Sequence, residues 1–123
     1  MQLALEEALA HDQPLVVMVS LPGCPYCRIV RAQHLLPLLN QAGPRVVQVD
    51  LNDKRELRDF SGQRTTHDAW VRQWGVQLAP TVMFFGAQGR EVAPRLSGAL
   101  LPDFYGAYLE ERLAQARRDL RVS

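Results

Sequence analysis

Residues 15–27 of this 123-residue chain read LVVMVSLPGCPYC, a stretch that contains both of its cysteines. The apolar, largely β-branched run at 15–20 predicts a buried strand. The next three residues, Leu21-Pro22-Gly23, predict a turn, and the segment after them has helical character. Cys24 and Cys27 would therefore lie at the first turn of a helix, where two thiols can close and reopen a disulfide with little backbone movement.

The position of the two cysteines predicts a different role for each. The unpaired N–H groups and the positive end of a helix stabilise a thiolate, so the pKa of the first thiol should fall below that of an ordinary cysteine. Cys24 is therefore the candidate catalytic nucleophile. Cys27, one turn further in, is the candidate resolving thiol, which attacks a mixed disulfide of Cys24 and releases the partner.

A Cys-x-x-Cys pair can also belong to a zinc site or form a purely structural disulfide. A closed zinc site needs two further ligands at short spacing, whereas His11, His34 and His67 are scattered along the chain. A disulfide that closes a two-residue loop constrains the unfolded chain very little. The sequence therefore favours a redox pair, and it predicts neither a metal nor an organic cofactor.

Length, charge and hydropathy narrow the classes of function. A chain of 123 residues with 47% apolar content predicts one domain, residues 1–123, around a single core. A net charge of +1 without a basic stripe argues against nucleic acid as a partner. No apolar run is long enough to span a membrane, and Glu6 and Glu7 interrupt the segment where a signal peptide is apolar. We expect a soluble chain that carries no leader as given.

The remaining pattern predicts the element order α-β-α-β-α-β-β-α. The helix after the cysteines should reach Gly43-Pro44 with a break before Pro37, and a second strand should cover 45–51. Residues 52–66 predict a surface loop or small hairpin, after which Thr66 can cap a helix over 67–74. A strand at 81–85, a turn at 86–89 and a strand near 91–96 form a hairpin before a final helix at 103–120. That helix carries five residues at core spacing: Tyr105, Leu109, Leu113, Ala116 and Leu120.

Three landmarks are spread over nearly the whole chain. The first is Cys24-Pro25-Tyr26-Cys27 after a buried strand, the second is Ala79-Pro80-Thr81 ahead of another, and the third is Gly98 before the last helix. In this order they resemble the redox motif, the cis-proline loop and the hairpin-ending glycine of the thioredoxin superfamily. The resemblance implies an α/β thioredoxin fold. Its central mixed β-sheet would be flanked by helices on both faces, with an insertion between the second strand and the cis-proline loop.

The same resemblance implies how a substrate is held. A cis peptide bond before Pro80 would form a tight turn against the two sulfurs and leave the backbone of Ala79 free to pair with an extended segment. Pro25 and Tyr26 lie between the catalytic cysteines. The family likeness thus predicts a substrate-binding set made of Pro25, Tyr26, Ala79 and Pro80.

Two departures from cytosolic thioredoxins have consequences. The long segment 50–80 is similar to that of periplasmic thioredoxin-like proteins of sulfur oxidation and cytochrome maturation, which implies a periplasmic location. Residues 52–66 would then be an insertion near the active face, either a partner-recognition element or a solvated loop. In addition, Met18 stands where thioredoxins carry a buried Asp beneath the resolving cysteine.

The sequence therefore predicts a monomeric thiol–disulfide oxidoreductase that exchanges with protein dithiols and disulfides and with an upstream redox partner. The Pro25-Tyr26 dipeptide is also the one that glutaredoxins use, so a glutathione-linked reductase is an alternative, although residues 86–98 continue as in thioredoxins. A second alternative is a non-catalytic binding module, which would present Ala79-Pro80 and the insertion to a partner while the cysteines stay oxidised.

Overall fold

A computed structural model describes residues 1–39, 44–98 and 102–120 of the chain. Its helices are α1 (Gln2–Ala10), α2 (Pro25–Val30), α3 (Leu36–Leu39), α4 (His67–Gln73) and α5 (Pro102–Asp119), with a π-helical turn at Arg31–Leu35 and a 3₁₀ turn at Ala87–Gly89. Its strands are β1 (Leu15–Ser20), β2 (Arg45–Asp50), β3 (Glu56–Arg58), β4 (Arg64–Thr66), β5 (Thr81–Phe85) and β6 (Glu91–Ser97). No helix among these residues combines the length and apolar character needed to cross a bilayer.

The main sheet has four strands in the order β2-β1-β5-β6. β1 pairs with β2 in parallel and with β5 in antiparallel orientation, and β5 pairs with β6 in antiparallel orientation. All residues of the two central strands, β1 and β5, are buried, because the sheet is covered on both faces. This mixed sheet with helices on both faces confirms the predicted α/β fold class.

Side chains alternate along β1 and divide the core into two halves. Val16 and Met18 point to what we call the cysteine face, which also contains Cys27 and the buried side of α5. Val17 and Val19 point to the opposite side, which we call the aromatic face because Trp70 and Phe85 lie at its centre. The residues predicted at core spacing in the last helix are all buried, although the last of them lies just past the end of α5: Tyr105, Leu109, Leu113, Ala116 and Leu120.

The helix that follows the cysteines continues past Pro37 by widening before it. The backbone N–H of Leu36 donates to the carbonyl oxygen of Arg31, five residues earlier, as a π-helical turn requires. Pro37 has no N–H to donate, and in a regular α-helix its ring would clash with the carbonyl four residues back. The predicted irregularity before Pro37 is therefore a π turn, whereas the predicted end of the helix lies outside the described residues.

The insertion at 52–66 forms a hairpin of β3 and β4 that packs onto the aromatic face. The Phe60 ring lies 4.8 Å from that of Phe85 and 6.3 Å from that of Trp70, measured between centroids. Phe60 also contacts Gly89, in the turn after β5, which is the end of β5 opposite to Pro80. The segment is therefore the small surface hairpin that the sequence pattern allowed. The prediction that it lies near the active face is wrong for its tip, because the partly buried ring of Phe60 packs against the aromatic face.

Candidate active site

The two cysteines form a disulfide at the start of α2, with their Cα atoms 5.3 Å apart. Cys24 is the N-cap residue, and its Sγ accepts the backbone N–H of Cys27 at 3.1 Å. Cys27 is only 1% exposed, whereas Cys24 is partly accessible. The pair is thus asymmetric: one sulfur can be reached from solvent, and the other lies beneath it.

The residues before and after Cys24 account for this geometry. Gly23 has φ of +80°, a left-handed conformation that side chains disfavour, and it reverses the chain into the helix. The N–H of Cys24 donates to the carbonyl oxygen of Leu21 at 3.1 Å and closes the turn. Pro25 then occupies the first helical position, where its missing N–H costs no hydrogen bond.

The Ala79-Pro80 loop lies against the partly accessible sulfur. Its peptide bond is cis, and the Ala79 carbonyl oxygen is 3.9 Å from Cys24 Sγ. Pro80 is buried, and its own carbonyl oxygen accepts the N–H of Gly98 at 2.8 Å. Residues that are far apart in the sequence therefore meet where β1 ends and β5 begins.

Apolar side chains around Cys24 are exposed to solvent. Tyr26 is 56% exposed and Leu78, next to Ala79, is 49% exposed. Leu21 and Pro25 are exposed as well. All six residues predicted for the site are thus in one region, with two cysteines in its centre and apolar groups around them.

The structure contains a polar cleft of about 210 Å³ that was not predicted from the sequence. It runs from the cysteines toward β2, where the parallel register places Met18 beside Gln48 and Ser20 beside Asp50. The polar residues lining it are Ser20, Arg28, Arg31, Gln48 and Asp50. The alternation of side chains along β1 and β2 indicates which residues of each strand share a face. The pairing of the two strands is needed as well to predict that these residues line one cleft.

Two of the three charged residues that line this cleft have hydrogen-bond partners. Asp50 accepts hydrogen bonds from Gln48 Nε2 at 2.9 Å and from Arg55 Nη2 at 2.6 Å. Arg31 Nη2 donates to Ser20 Oγ at 3.1 Å. No group of three or more potential metal ligands occurs in the part of the chain that the structure describes.

The floor of the site is apolar. Met18 is 1% exposed and belongs to the same core cluster as Cys27. Tyr105 lies in that cluster too, and burial raises its pKa, so the phenol stays neutral. His34 packs against Tyr105 with ring centroids 5.0 Å apart, and burial lowers the pKa of His34. None of these side chains places a carboxylate beneath Cys27.

A disulfide that begins a helix on a mixed sheet, with a cis-proline loop against its accessible sulfur, defines the thioredoxin-like class of thiol–disulfide oxidoreductases. A family model described as a thioredoxin-like domain matches residues 1–113. The chain therefore belongs to the thioredoxin-like family, and its paired cysteines make it a thiol–disulfide oxidoreductase.

Solved structures agree with the fold. A thioredoxin-fold protein from Helicobacter pylori superposes with a TM-score of 0.64 at 17% identity, over 88% of this chain and 73% of the other. The periplasmic thioredoxin SoxS from Paracoccus pantotrophus gives 0.55 at 23% identity, over 85% and 99%. Trxlp from Edwardsiella tarda gives 0.58 at 25% identity, over 89% and 93%. A comparison with curated protein sequences found no significant match.

Proposed function

We propose that the protein exchanges its disulfide with dithiols and disulfides of other proteins through a mixed disulfide at Cys24, which Cys27 resolves. The observation that carries this proposal is the difference in exposure between the two sulfurs: Cys24 is partly accessible, whereas Cys27 is 1% exposed. An incoming thiolate can approach Cys24 along the line of the disulfide, and Cys27 then leaves as a thiolate. In the reverse direction, Cys24 attacks a partner's disulfide.

The surface around Cys24 favours a protein as the substrate. Tyr26, two residues after Cys24, and Leu78, next to Ala79, offer exposed apolar area. The Ala79 carbonyl oxygen lies 3.9 Å from Cys24 Sγ, where an extended segment carrying a cysteine would pair with the Ala79-Pro80 backbone. A polypeptide can use both features at once, whereas a small thiol can use only part of them.

We propose further that the protein works as a monomer in the bacterial periplasm and exchanges electrons with an upstream redox protein. Support comes from the hairpin inserted between β2 and the Ala79-Pro80 loop and from the likeness to the periplasmic thioredoxin SoxS. Fractionation of the source cells and sedimentation of the purified chain test these two points. Recovery in the cytoplasm, or a stable dimer, would contradict them.

Trapping of covalent intermediates tests the exchange mechanism. Reduced Cys27→Ser should accumulate mixed disulfides with a disulfide-bonded test protein, because the resolving thiol is missing. Cys24→Ser should form almost none, because its remaining thiol is buried. Equal trapping by the two variants, measured by non-reducing electrophoresis, would contradict the assigned roles.

The same assay separates the alternatives. A binding module would retain its partner after both cysteines are replaced, whereas an exchange enzyme would lose the covalent complex. A glutaredoxin-like enzyme would react faster with glutathione disulfide than with the test protein. We expect the opposite order of rates.

A further inference from the structure

We propose that the guanidinium group of Arg31 stabilises the thiolate of Cys27, and that it thereby sets the rate at which Cys27 resolves the mixed disulfide at Cys24. The proposal rests on the exchange function above, and it assigns a role to a residue outside the Cys-x-x-Cys motif. Arg31 acts through Cys27 and not on the substrate, so it is a positioning residue.

Arg31 is placed toward Cys27 by helix geometry. The two residues are four apart, and the N–H of Arg31 bonds back to the carbonyl oxygen of Cys27. Side chains at this spacing lie on the same side of a helix, one turn apart. Both residues also line the polar cleft, and so does Ser20, whose hydroxyl oxygen accepts a hydrogen bond from Arg31 Nη2 at 3.1 Å and holds the guanidinium group there.

The hydrogen bonds of Arg31 leave its charge uncompensated. Nη2 donates to the hydroxyl of Ser20, which is neutral, and Nε is buried without any partner. Among the carboxylates of the described residues, none lies within ion-pair distance of Arg31. A partly buried cation without an anion is costly, and the reduced protein supplies an anion when Cys27 becomes a thiolate.

The other groups facing Cys27 cannot take this role. Met18 beneath it is apolar, and Tyr105 is neutral because burial raises its pKa. Asp50 is an anion, which would oppose a thiolate, but Gln48 and Arg55 already bind its carboxylate.

Two further groups near Cys27 do not fill this role either. Arg28 lines the cleft, but it is exposed, so water screens its charge. Cys24 carries no charge while it is joined to the partner in the mixed disulfide. Arg31 is therefore the one cation among the described cleft residues that is held partly out of water.

The chemical step is as follows. The Cys27 thiol gives its proton to solvent, and the thiolate attacks Cys24 Sγ of the mixed disulfide. A Cys24–Cys27 bond forms, the bond from Cys24 to the partner's sulfur breaks, and the partner leaves as a thiolate. The charge of Arg31 favours the first part of this sequence, since it stabilises the anion that burial disfavours.

Titration of Cys27 measures the effect directly. In a Cys24→Ser background, Arg31→Met keeps most of the side-chain length and removes the charge. We expect this substitution to raise the pKa of Cys27 by at least about one unit, which is the lower end of the shift that an opposite charge at ~4–6 Å produces. The ultraviolet absorbance of the thiolate measures this pKa. Arg31→Lys should preserve a large part of the effect. Arg28→Met is the matched control and should change the pKa much less.

The rate of resolution has a pH dependence that a structural role would not produce. Reduced protein is mixed with a chromogenic aromatic disulfide such as dithiobis(nitrobenzoate). One coloured thiol is released when Cys24 attacks the reagent, and a second is released when Cys27 resolves the mixed disulfide. At neutral pH, Arg31→Met should slow the second, concentration-independent phase about threefold, because roughly tenfold less thiolate is partly offset by a more nucleophilic sulfur. At a pH above the Cys27 pKa of both the native protein and Arg31→Met, the order of the two resolution rates should reverse, and the variant should be the faster of the two.

The outcomes are distinguishable from failure of the proposed function. An unchanged Cys27 pKa in Arg31→Met, or a resolution rate that is lowered equally at every pH, would overturn the role of Arg31. In either case Cys27→Ser would still trap mixed disulfides at Cys24. Loss of trapping by Cys27→Ser would instead overturn the exchange mechanism itself. Circular dichroism and denaturant midpoints of each variant identify unfolding, and Arg31→Lys supplies the charge-preserving test if Arg31→Met is unstable.

Discussion

The two faces of the sheet are built in different ways. The aromatic face is closed by rings, since Phe60, Trp70, Trp74 and Phe85 all lie within 6.5 Å of one another between centroids. The cysteine face has an apolar floor but opens at one end into a polar cleft. Because successive residues of β1 point to opposite faces, a single strand serves both. The ring packing that holds the inserted hairpin and the cysteine pair thus lie on opposite faces of the sheet, although both faces contain buried core residues.

The largest effect is expected where a charge is placed on the floor of the cysteine face. Met18→Asp removes buried packing, which costs ~2–5 kcal/mol for loss of a large apolar side chain. Burial should also raise the folded-state pKa of the new carboxyl above its unfolded value, so the folded state binds more protons. The destabilisation should therefore grow above about pH 4, by up to ~1.4 kcal/mol per unit of pKa shift, and level off above the folded pKa.

Denaturant midpoints at about pH 4 and about pH 8 measure this dependence. Met18→Asn, of the same shape but without a titrating group, is the matched control and should show a penalty that does not change between the two conditions. The release rate of the mixed disulfide should rise in Met18→Asp because a proton acceptor then lies near Cys27. A penalty for Met18→Asp that is independent of pH would mean that this position does not hold a buried carboxylate.

A smaller effect is expected on the opposite face. Phe60→Ala should destabilise the chain by about 2 kcal/mol, less than the ~3–5 kcal/mol of a fully buried aromatic residue, because Phe60 is only partly buried. The reaction of Cys24 with a disulfide should be unchanged per folded molecule, since the hairpin tip lies at the far end of β5. Phe104→Ala, at a position that is 56% exposed, is the control and should cost less than ~0.5 kcal/mol. A slower reaction of Cys24 in Phe60→Ala would show that the two faces are not independent.

The smallest effect concerns the charges that join the insertion to α4. Asp68 Oδ2 accepts a hydrogen bond from Lys54 Nζ at 2.8 Å and forms an ion pair with Arg72 Nη2 at 2.9 Å. The hydrogen bond from Lys54 is the main cause that lowers the pKa of Asp68. A lowered folded pKa adds stability that is present above the unfolded pKa and is lost as pH falls through the folded one.

Asp68→Asn should therefore be less stable than the native chain at neutral pH, by less than Phe60→Ala. This difference should shrink as pH falls below about 4. Thermal unfolding across that range measures it, with the exposed Glu110→Gln on α5 as the control. A difference that persists unchanged in acid would mean that Asp68 acts by packing and not by charge. If Asp68→Asn costs more than Phe60→Ala, charges and not aromatic packing hold the hairpin.

Much of the fold followed from local pattern. β1 and β5 have the predicted bounds because a continuous apolar run between turn residues leaves little choice of strand. Thr66 caps α4 as predicted, with its Oγ1 accepting the N–H of Ala69 at 3.1 Å, because a capping side chain and its target are three residues apart. The spacing of Cys24 and Cys27 likewise predicted a disulfide at the start of a helix.

Contacts between distant segments could not be predicted in this way. The position of Phe60 depends on its contact with Phe85, a residue of a distant strand on the aromatic face. The widened turn before Pro37 depends on how the helix accommodates a residue without an N–H. The cleft beside Cys27 exists because β2 pairs in parallel with β1 in one register, which brings Asp50 beside Ser20. A shift of one residue would turn Gln48 and Asp50 to the other face. The sequence alone determined which two residues form the disulfide, since that depends on local spacing. Only the tertiary structure decided which charged residues surround that disulfide, since this depends on strand register.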